Sequence, residues 1–229
     1  MNRVRWLSAT WPVSMRTLGT RMKGCPFTPD SFDGFVVERI RDHSIEARFI
    51  EKITYSEVTI DPFGNEETFQ RTAYRSVNFT LSSEFPHIEI KDSPKSTKDF
   101  VNKLLELCNF SLAVTPISVN LFDWVNEFQK SIARTVIVDS IQLSDLELAE
   151  GVSAKVLLKG GRDVRDAVFH LAQKKKYHLD KLQVKVKIDE KYASIHLSNA
   201  GAATIPSDLF EELLPLLRAS LPTPARSKQ

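Results

Sequence analysis

Residues 35–90 contain several stretches in which apolar and polar residues alternate with a period of two, which is typical of strands. In residues 45–60, and again in 68–81, one side of an extended chain would be mainly apolar and the other mainly polar. The two stretches are separated by residues 61–65, DPFGN, whose Pro, Gly and Asn favour a turn. The pattern predicts a long β-hairpin, followed by a short strand at Ile88 and Ile90.

Four later stretches space their apolar residues three or four apart, as an amphipathic helix does. Ser96 and Asp99 have the spacing of a capping box before the first stretch, and Asn120 and Ser207 are N-cap candidates for the second and fourth. Pro215 is expected to kink or shorten the last helix. The four stripes are Phe100, Val101, Leu104, Leu105 and Cys108; Leu121, Trp124, Val125, Phe128 and Ile132; Val164, Ala167, Val168 and Leu171; and Phe210, Leu213, Leu214 and Leu217.

Residues 151–191 change from strand to turn, to helix, and back to strand. Val156 and Leu158 precede a Gly160-Gly161 break, and a second alternating run occupies 182–188. Residues 193–197 alternate too and are predicted to pair with that run through a turn at 189–191. We therefore expect an α+β protein with an antiparallel, hairpin-rich N-terminal half and a C-terminal strand-helix-strand-strand-helix unit.

The same patterns divide the chain into four segments. Residues 1–29 carry five Arg and Lys and no acid, so we interpret them as a basic leader or flexible arm, or as residues upstream of a start at Met15 or Met22. Residues 30–133 form a strand-rich α+β region and 134–221 a second α+β region. Residues 222–229 are predicted to be a disordered tail.

Composition narrows the class of protein. The 229 residues include only two cysteines, Cys25 and Cys108, far apart and outside any CxxC pair, so neither a disulfide framework nor a zinc site is expected. No apolar run approaches the roughly 18 residues of a membrane span. We expect a cytoplasmic protein, or a mitochondrial one if the basic leader is a presequence in a eukaryote.

Charge is distributed unevenly along the chain. Residues 151–191 hold eleven Lys and Arg against five Asp and Glu, a net charge of +6, whereas residues 30–150 hold twelve against twenty-one, a net charge of −9. With a period of two, the lysines of 181–191 fall on one side of their strand, and Tyr177 and His178 add a stacking ring and a donor nearby. The predicted polyanion-binding residues are Lys159, Arg162, Lys174, Lys175, Lys176, Lys181, Lys185, Lys187 and Lys191. The alternative is that these lysines solvate a sheet face or protect an edge strand.

Two further features have candidate chemistry. Residues 159–163, KGGRD, lie at a predicted strand-to-helix turn where free amides and cations suit a phosphate. Asp61 together with Glu89-Ile90-Lys91 resembles the acidic residue and E-x-K triplet of PD-(D/E)xK nucleases, which bind Mg²⁺, although the order here is Asp-Pro. The five histidines show no metal-ligand spacing, and no cofactor or metal is expected.

These observations favour a non-catalytic binding or adaptor protein. Its basic C-terminal face would engage nucleic acid or another polyanion, and its acidic N-terminal half would contact a protein partner. The alternatives are a protein-interaction subunit with no nucleic-acid role and a Mg²⁺-dependent nuclease that uses Asp61, Glu89 and Lys91.

Overall fold

A computed structural model describes residues 1–94, 96–173, 175–188 and 191–223. The protein is mixed α and β and dominated by strands, with 24% of residues in helices and 48% in antiparallel strands. The strands are β1 Asn2–Thr10, β2 Asp33–Ile40, β3 Ser44–Ile60, β4 Glu66–Ser82, β5 Ile88–Lys91, β6 Ala113–Pro116, β7 Val136–Ala149, β8 Val152–Lys159, β9 His178–Ile188, β10 Lys191–Ser198 and β11 Ala202–Ile205. The helices are α1 Met15–Lys23, α2 Lys98–Leu107, α3 Leu121–Ile132, α4 Arg165–Ala172 and α5 Phe210–Ala219.

The chain divides into two compact units. The N-terminal unit is Ala9–Val114, and the C-terminal unit combines Met1–Ser8 with Thr115–Gln229. The sequence predicted a boundary near Arg134. In the structure Arg134 lies inside the C-terminal unit, two residues before β7. None of the helices in the described residues is long and apolar enough to cross a membrane.

The N-terminal unit is built on the predicted hairpin. Strands β2, β3, β4 and β5 lie side by side in that order, and β3 pairs with β4 along all seventeen of its residues, from Ser44 to Ile60. The core lies on the face bearing Phe49 and Phe79, where the ring of Phe100 from α2 packs 4.5 Å from that of Phe79. The hairpin, the strand at Ile88 and the helix with Phe100 and Leu104 buried are all confirmed.

The C-terminal unit orders its strands β1-β11-β10-β9-β7-β8, and each neighbouring pair in this order is antiparallel. Helix α3 packs on β9, and α5 packs on α3 and β11. Trp6 of β1 meets Trp124 of α3 edge to face at 5.7 Å, and the Trp124 indole N–H donates to the Leu217 carbonyl at 3.1 Å. Both helices therefore cover the face whose β9 residues include Val184, and the core of this unit lies between them.

Residues 1–29 are folded, whereas one of the sequence interpretations was a flexible arm. Val4 and Trp6 in β1, and Leu18 and Met22 in α1, are wholly buried. The arginines of this stretch alternate with apolar residues, so the basic bias reflects the exposed side of a strand and a helix.

The C-terminal part of the pattern is confirmed with two local changes. Helix α4 buries Val164, Val168 and Ala172, whereas Ala167 and Leu171 are exposed, so its apolar stripe runs four residues apart. Helix α5 continues through Pro215 as far as Ala219. Residues 224–229 of the predicted tail lie outside the described residues.

Candidate polyanion-binding face

The lysine face is the side of the C-terminal sheet that carries Lys181, Lys185 and Lys187 on β9 and Lys159 on β8. In β9 these lysines alternate with Leu182, Val184, Val186 and Ile188, all of which are buried. The period-two pattern of the sequence is thus reproduced, and side chains two residues apart on this side of β9 are about 7 Å from each other. The apolar side faces the helices, so the lysine side is the outer side of this unit's sheet.

Strand β9 lies in the interior of the sheet. It pairs with β7 from Val136↔Val186 onwards and with β10 along eight residue pairs, including Tyr192↔Lys187 and Ser194↔Lys185. Both of its backbone edges are therefore hydrogen-bonded. An interior strand has no edge to protect against pairing with other chains, so the edge-protection interpretation of these lysines does not apply.

Neighbouring strands extend the lysine face on both sides. Register places Gln183 between Ser140 of β7 and His196 of β10, and Ser140 in turn pairs with Lys159 of β8. On the other side His196 pairs with Thr204 of β11, which pairs with Arg3 of β1. A single row across six strands thus contains a lysine, a histidine, an arginine and three neutral polar residues.

Sequence reasoning missed several members of this face. Arg3 and Arg5 were assigned to the leader, but their alternation with buried Val4 puts them on the lysine side of β1. Tyr192 and His196 belong to β10, and both are exposed. The alternation of residues 191–198 was visible in the sequence, and only the pairing of β1 with β11 needed the structure.

Lys185 has a carboxylate partner inside the face. Its Nζ lies 2.9 Å from Oδ2 of Asp139, a residue at a bulge of β7 that is only 5% exposed. The Gln183 amide donates to the same oxygen at 3.3 Å, while Oδ1 is buried without a hydrogen-bond partner among the described residues. Lys185 therefore balances an internal charge, whereas Lys181 and Lys187 carry theirs at the exposed surface.

Other predicted lysines lie away from this row. Lys175 and Lys176 follow α4, which ends at Ala172, so they are not in its last turn. They are exposed and line an open cleft with Asp145 and Glu147, whose charges oppose theirs. Lys174 lies outside the described residues. Residue 191 is in register with Ile188 and not with a lysine position, and its side chain is likewise not described.

Polar groups of the turn at residues 159–163 are hydrogen-bonded to other groups of the protein. The Gly160 amide donates to the Asp139 carbonyl at 3.0 Å, and a Cβ at Gly160 would lie 2.8 Å from Cγ1 of Val164. The Asp163 carboxylate accepts from the backbone amides of Val138 and Arg165 and pairs with the Arg165 guanidinium at 2.9 Å. An internal anion thus occupies the place proposed for a phosphate. Arg162 remains exposed in the turn.

The electrostatics of Asp163 fit this structural role. Burial raises the pKa of its carboxyl, but the hydrogen bonds and charge of Arg165, with the Val138 amide, more than offset that effect. The net result is a pKa below its ordinary value, so Asp163 stays ionised at neutral pH and holds the start of α4 against β7.

The residues of the nuclease alternative are not assembled. Asp61 lies at the tip of the β3–β4 hairpin, where hydrogen bonds from the side chain and amide of Asn65 lower its pKa. Glu89 is buried in β5 opposite Thr80, fourteen residues along β4 from the tip residue Glu66. At about 3.3 Å per residue this separation is roughly 45 Å, so Asp61 and Glu89 share no metal ion.

The described residues contain no group of three or more His, Cys, Asp or Glu side chains placed to hold a metal ion. Of the two thiols, that of Cys108 is buried, and burial raises its pKa, which makes it a poor nucleophile. No protein-family model and no curated protein matches this sequence.

Proposed function

We propose that this chain is a non-catalytic binding or adaptor protein whose lysine face engages nucleic acid or another polyanion. The observation that carries the proposal is the position of β9: an interior strand presents Lys181 and Lys187 on the side of the sheet opposite α3 and α5. Such placement satisfies the backbone and leaves the ammonium groups available to an external anion.

The proposal is supported by the sparse acidic content of the face. The carboxylate of Asp139 is paired with Lys185, and that of Asp180 accepts from the Ser144 hydroxyl at 2.8 Å and from the Gln142 amide at 3.3 Å. Lys159 of β8 and the arginines of β1 extend the cationic surface on either side of β9. The charge is thus spread across the sheet, which suits an extended polyanion better than one small ligand.

Charge reversal at the two exposed lysines tests the proposal. We expect the double variant Lys181→Glu/Lys187→Glu to lose binding to labelled oligonucleotides and to heparin, measured by fluorescence anisotropy at low salt. In a milder variant with Gln at both positions, the dependence of log affinity on log salt should fall by about 1.4 to 1.8, since each phosphate contact contributes about 0.7 to 0.9. Lys185 is not changed because its removal would leave the buried Asp139 carboxylate without its cationic partner.

The control carries the same change of charge elsewhere. Lys98 begins α2, and Lys130 lies on α3, away from the lysine face, where it pairs with Glu127. The variant Lys98→Glu/Lys130→Glu should bind as the wild type does. Absence of binding to any polyanion by folded wild-type protein, or equal losses in the two double variants, would refute the proposal.

The alternative, a protein-interaction subunit with no nucleic-acid role, is favoured by a different feature, the hairpin arm. We define the arm as residues 53–73, the distal parts of β3 and β4 with their turn. β2 pairs with β3 only as far as Glu51, and β5 pairs with β4 only from Asn78, so within the described residues no third strand flanks the arm. Its exposed apolar side chains are Tyr55, Val58, Ile60, Phe63 and Phe69, and Phe63 at the tip is 90% exposed.

The arm has the composition of a protein-binding surface and not of a nucleic-acid-binding one. It contains four acids, Glu57, Asp61, Glu66 and Glu67, and one base, Arg71, a net charge of −3. Exposed aromatic and aliphatic groups with this charge favour a partner protein that has a basic, partly apolar surface.

A photo-crosslinking residue in place of Phe63 would identify such a partner in the native host, with and without nuclease treatment. The purified partner should then bind the wild type in the absence of nucleic acid and lose affinity when Glu66 and Glu67 are changed to Lys. Capture that disappears on nuclease treatment would refute the alternative and support the nucleic-acid proposal.

A further inference from the structure

Tyr192 is the large aromatic side chain of the lysine face. It pairs directly with Lys187 across the β10–β9 hairpin and is 60% exposed. Residues opposite each other in an antiparallel pair have Cβ atoms about 4.5 to 5.5 Å apart, so the Tyr192 ring and the aliphatic chain of Lys187 lie side by side. The buried neighbours Ala193 and Val186 fix both side chains on the outer side of the sheet.

Two lysines of β9 lie near the ring at this end of the face, the first being Lys187 opposite it. Lys185 lies two residues from Lys187, about 7 Å along the strand. The guanidinium of Arg134 donates to the Lys187 carbonyl at 3.5 Å, but it lines a cleft with Asp123 and Glu127 of α3 and is not a member of the lysine face. In the described residues no other aromatic ring packs against Tyr192. The arrangement therefore combines an available aromatic face with two cations on the neighbouring strand.

This combination distinguishes among polyanions. Polysulfates and polyphosphates are recognised through their charge, and they have no planar group that could stack on a tyrosine ring. The bases of a duplex are stacked on one another, so a surface tyrosine reaches a base face only if a base step is opened at a cost of a few kcal/mol. An unpaired strand offers its base faces and its phosphates together, and base–aromatic stacking tolerates any sequence.

We propose that the lysine face binds single-stranded nucleic acid, with one base stacked on Tyr192 and the flanking phosphates contacted by Lys187 and Lys185. The inference rests on the proposed function of this face and adds the class of ligand. A solvent-facing β-sheet supplies the platform, and the internal pair of Lys185 with Asp139 holds one of the two cations in a fixed position.

The test compares four labelled or competing probes at one salt concentration: a 20-residue oligothymidylate, a 20-residue oligouridylate, a 20-base-pair DNA duplex and heparin. We expect both single strands to bind at least tenfold more tightly than the duplex. The ratio of the first two affinities reports whether the ribose 2′-hydroxyl contributes. Tyr192→Ala should weaken single-strand binding about tenfold, within the range found for loss of one stacked base, without a change in the salt dependence.

Two variants isolate the ring. Tyr192→Phe keeps the aromatic face and should bind as the wild type does, whereas Tyr55→Ala, an exposed tyrosine of the hairpin arm, should have no effect. The inference is overturned if Tyr192→Ala is silent, if Tyr192→Phe loses as much as Tyr192→Ala, or if duplex and heparin bind as tightly as single strands. Those results leave polyanion binding itself intact, whereas failure of all four probes to bind refutes the proposed function.

Discussion

Lys185 differs from the other lysines of β9 because its removal leaves a buried charge. The variant Lys185→Met keeps the stem of the side chain and deletes the ammonium group that lies 2.9 Å from Asp139. Asp139 is 5% exposed and would retain only the Gln183 amide as a donor to its carboxylate. We therefore expect this one substitution to destabilise the fold, whereas the same change at Lys187 should not.

The magnitude follows from the burial of the two partners. Loss of one member of a fully buried pair costs about 3 to 5 kcal/mol. The Lys185 side chain is 40% exposed, so water screens part of the interaction and a smaller value of about 2 kcal/mol is expected. With an m-value of about 2 kcal/mol per M, the urea midpoint should fall by about 1 M. Asp139→Asn should cost less, about 1 kcal/mol, because Lys185 can extend into water.

Urea unfolding followed by tryptophan fluorescence measures these differences. Lys187→Met is the matched control and should lie within about 0.5 kcal/mol of the wild type. In the double variant Asp139→Asn/Lys185→Met the cost should be close to that of Asp139→Asn alone, a coupling of more than about 1 kcal/mol. Equal midpoints for Lys185→Met and Lys187→Met, or a coupling near zero, would show that the ion pair does not form in solution.

Three further outcomes follow from the structure. Burial lowers the pKa of His87, whose Nδ1 accepts the amide of Ala9 in β1 at 3.1 Å. The free energy of unfolding should therefore be constant above about pH 7.5 and fall as the pH drops through 6.5. Urea midpoints measured between pH 8 and 5 should show this fall, and it should be smaller in His87→Asn. Gly201 has a φ of +63°, and a Cβ there would lie 3.0 Å from a neighbouring isoleucine, so Gly201→Ala should lower the thermal midpoint while Gly161→Ala, in open space, should not. Trp124→Phe should cost about 1 kcal/mol in urea unfolding, since it removes one of the two donors to the buried Leu217 carbonyl and leaves the Ser220 hydroxyl as the other, and an unchanged midpoint would contradict that assignment.

The parts of the fold that the sequence predicted are those in which one period continues for many residues. The alternation of residues 45–49, 77–81 and 182–188 is reproduced because each of these segments has one apolar side and a single register buries it. Helix α3 begins as predicted because the Asn120 side chain accepts from the amides of Phe122 and Asp123.

The parts that the sequence did not predict depend on pairing between distant segments. β1 carries Arg3 and Arg5, which the sequence analysis assigned to a basic leader or arm, and it is recognisable as a strand only beside β11. β11 itself is four residues long, Ala202–Ile205, too short for a clear period. At the β9–β10 hairpin the sequence suggested a turn of three residues, whereas Lys191 already pairs with Ile188. That difference of one residue removes position 191 from the lysine row.

The sequence identified the lysines of β9 but did not predict the structure of the face that they form. A count of charges identifies Lys181, Lys185 and Lys187 but treats them as equivalent. The bulge of β7 makes them unequal, because it places Asp139 beneath Lys185 and beside the turn in which Gly160 donates to its carbonyl. One lysine is thereby fixed to the sheet, and two project beyond it. In the proposed binding mode, Lys185 is the cation held in place by Asp139, and Lys187 beside Tyr192 is an exposed cation with no carboxylate partner among the described residues of the face.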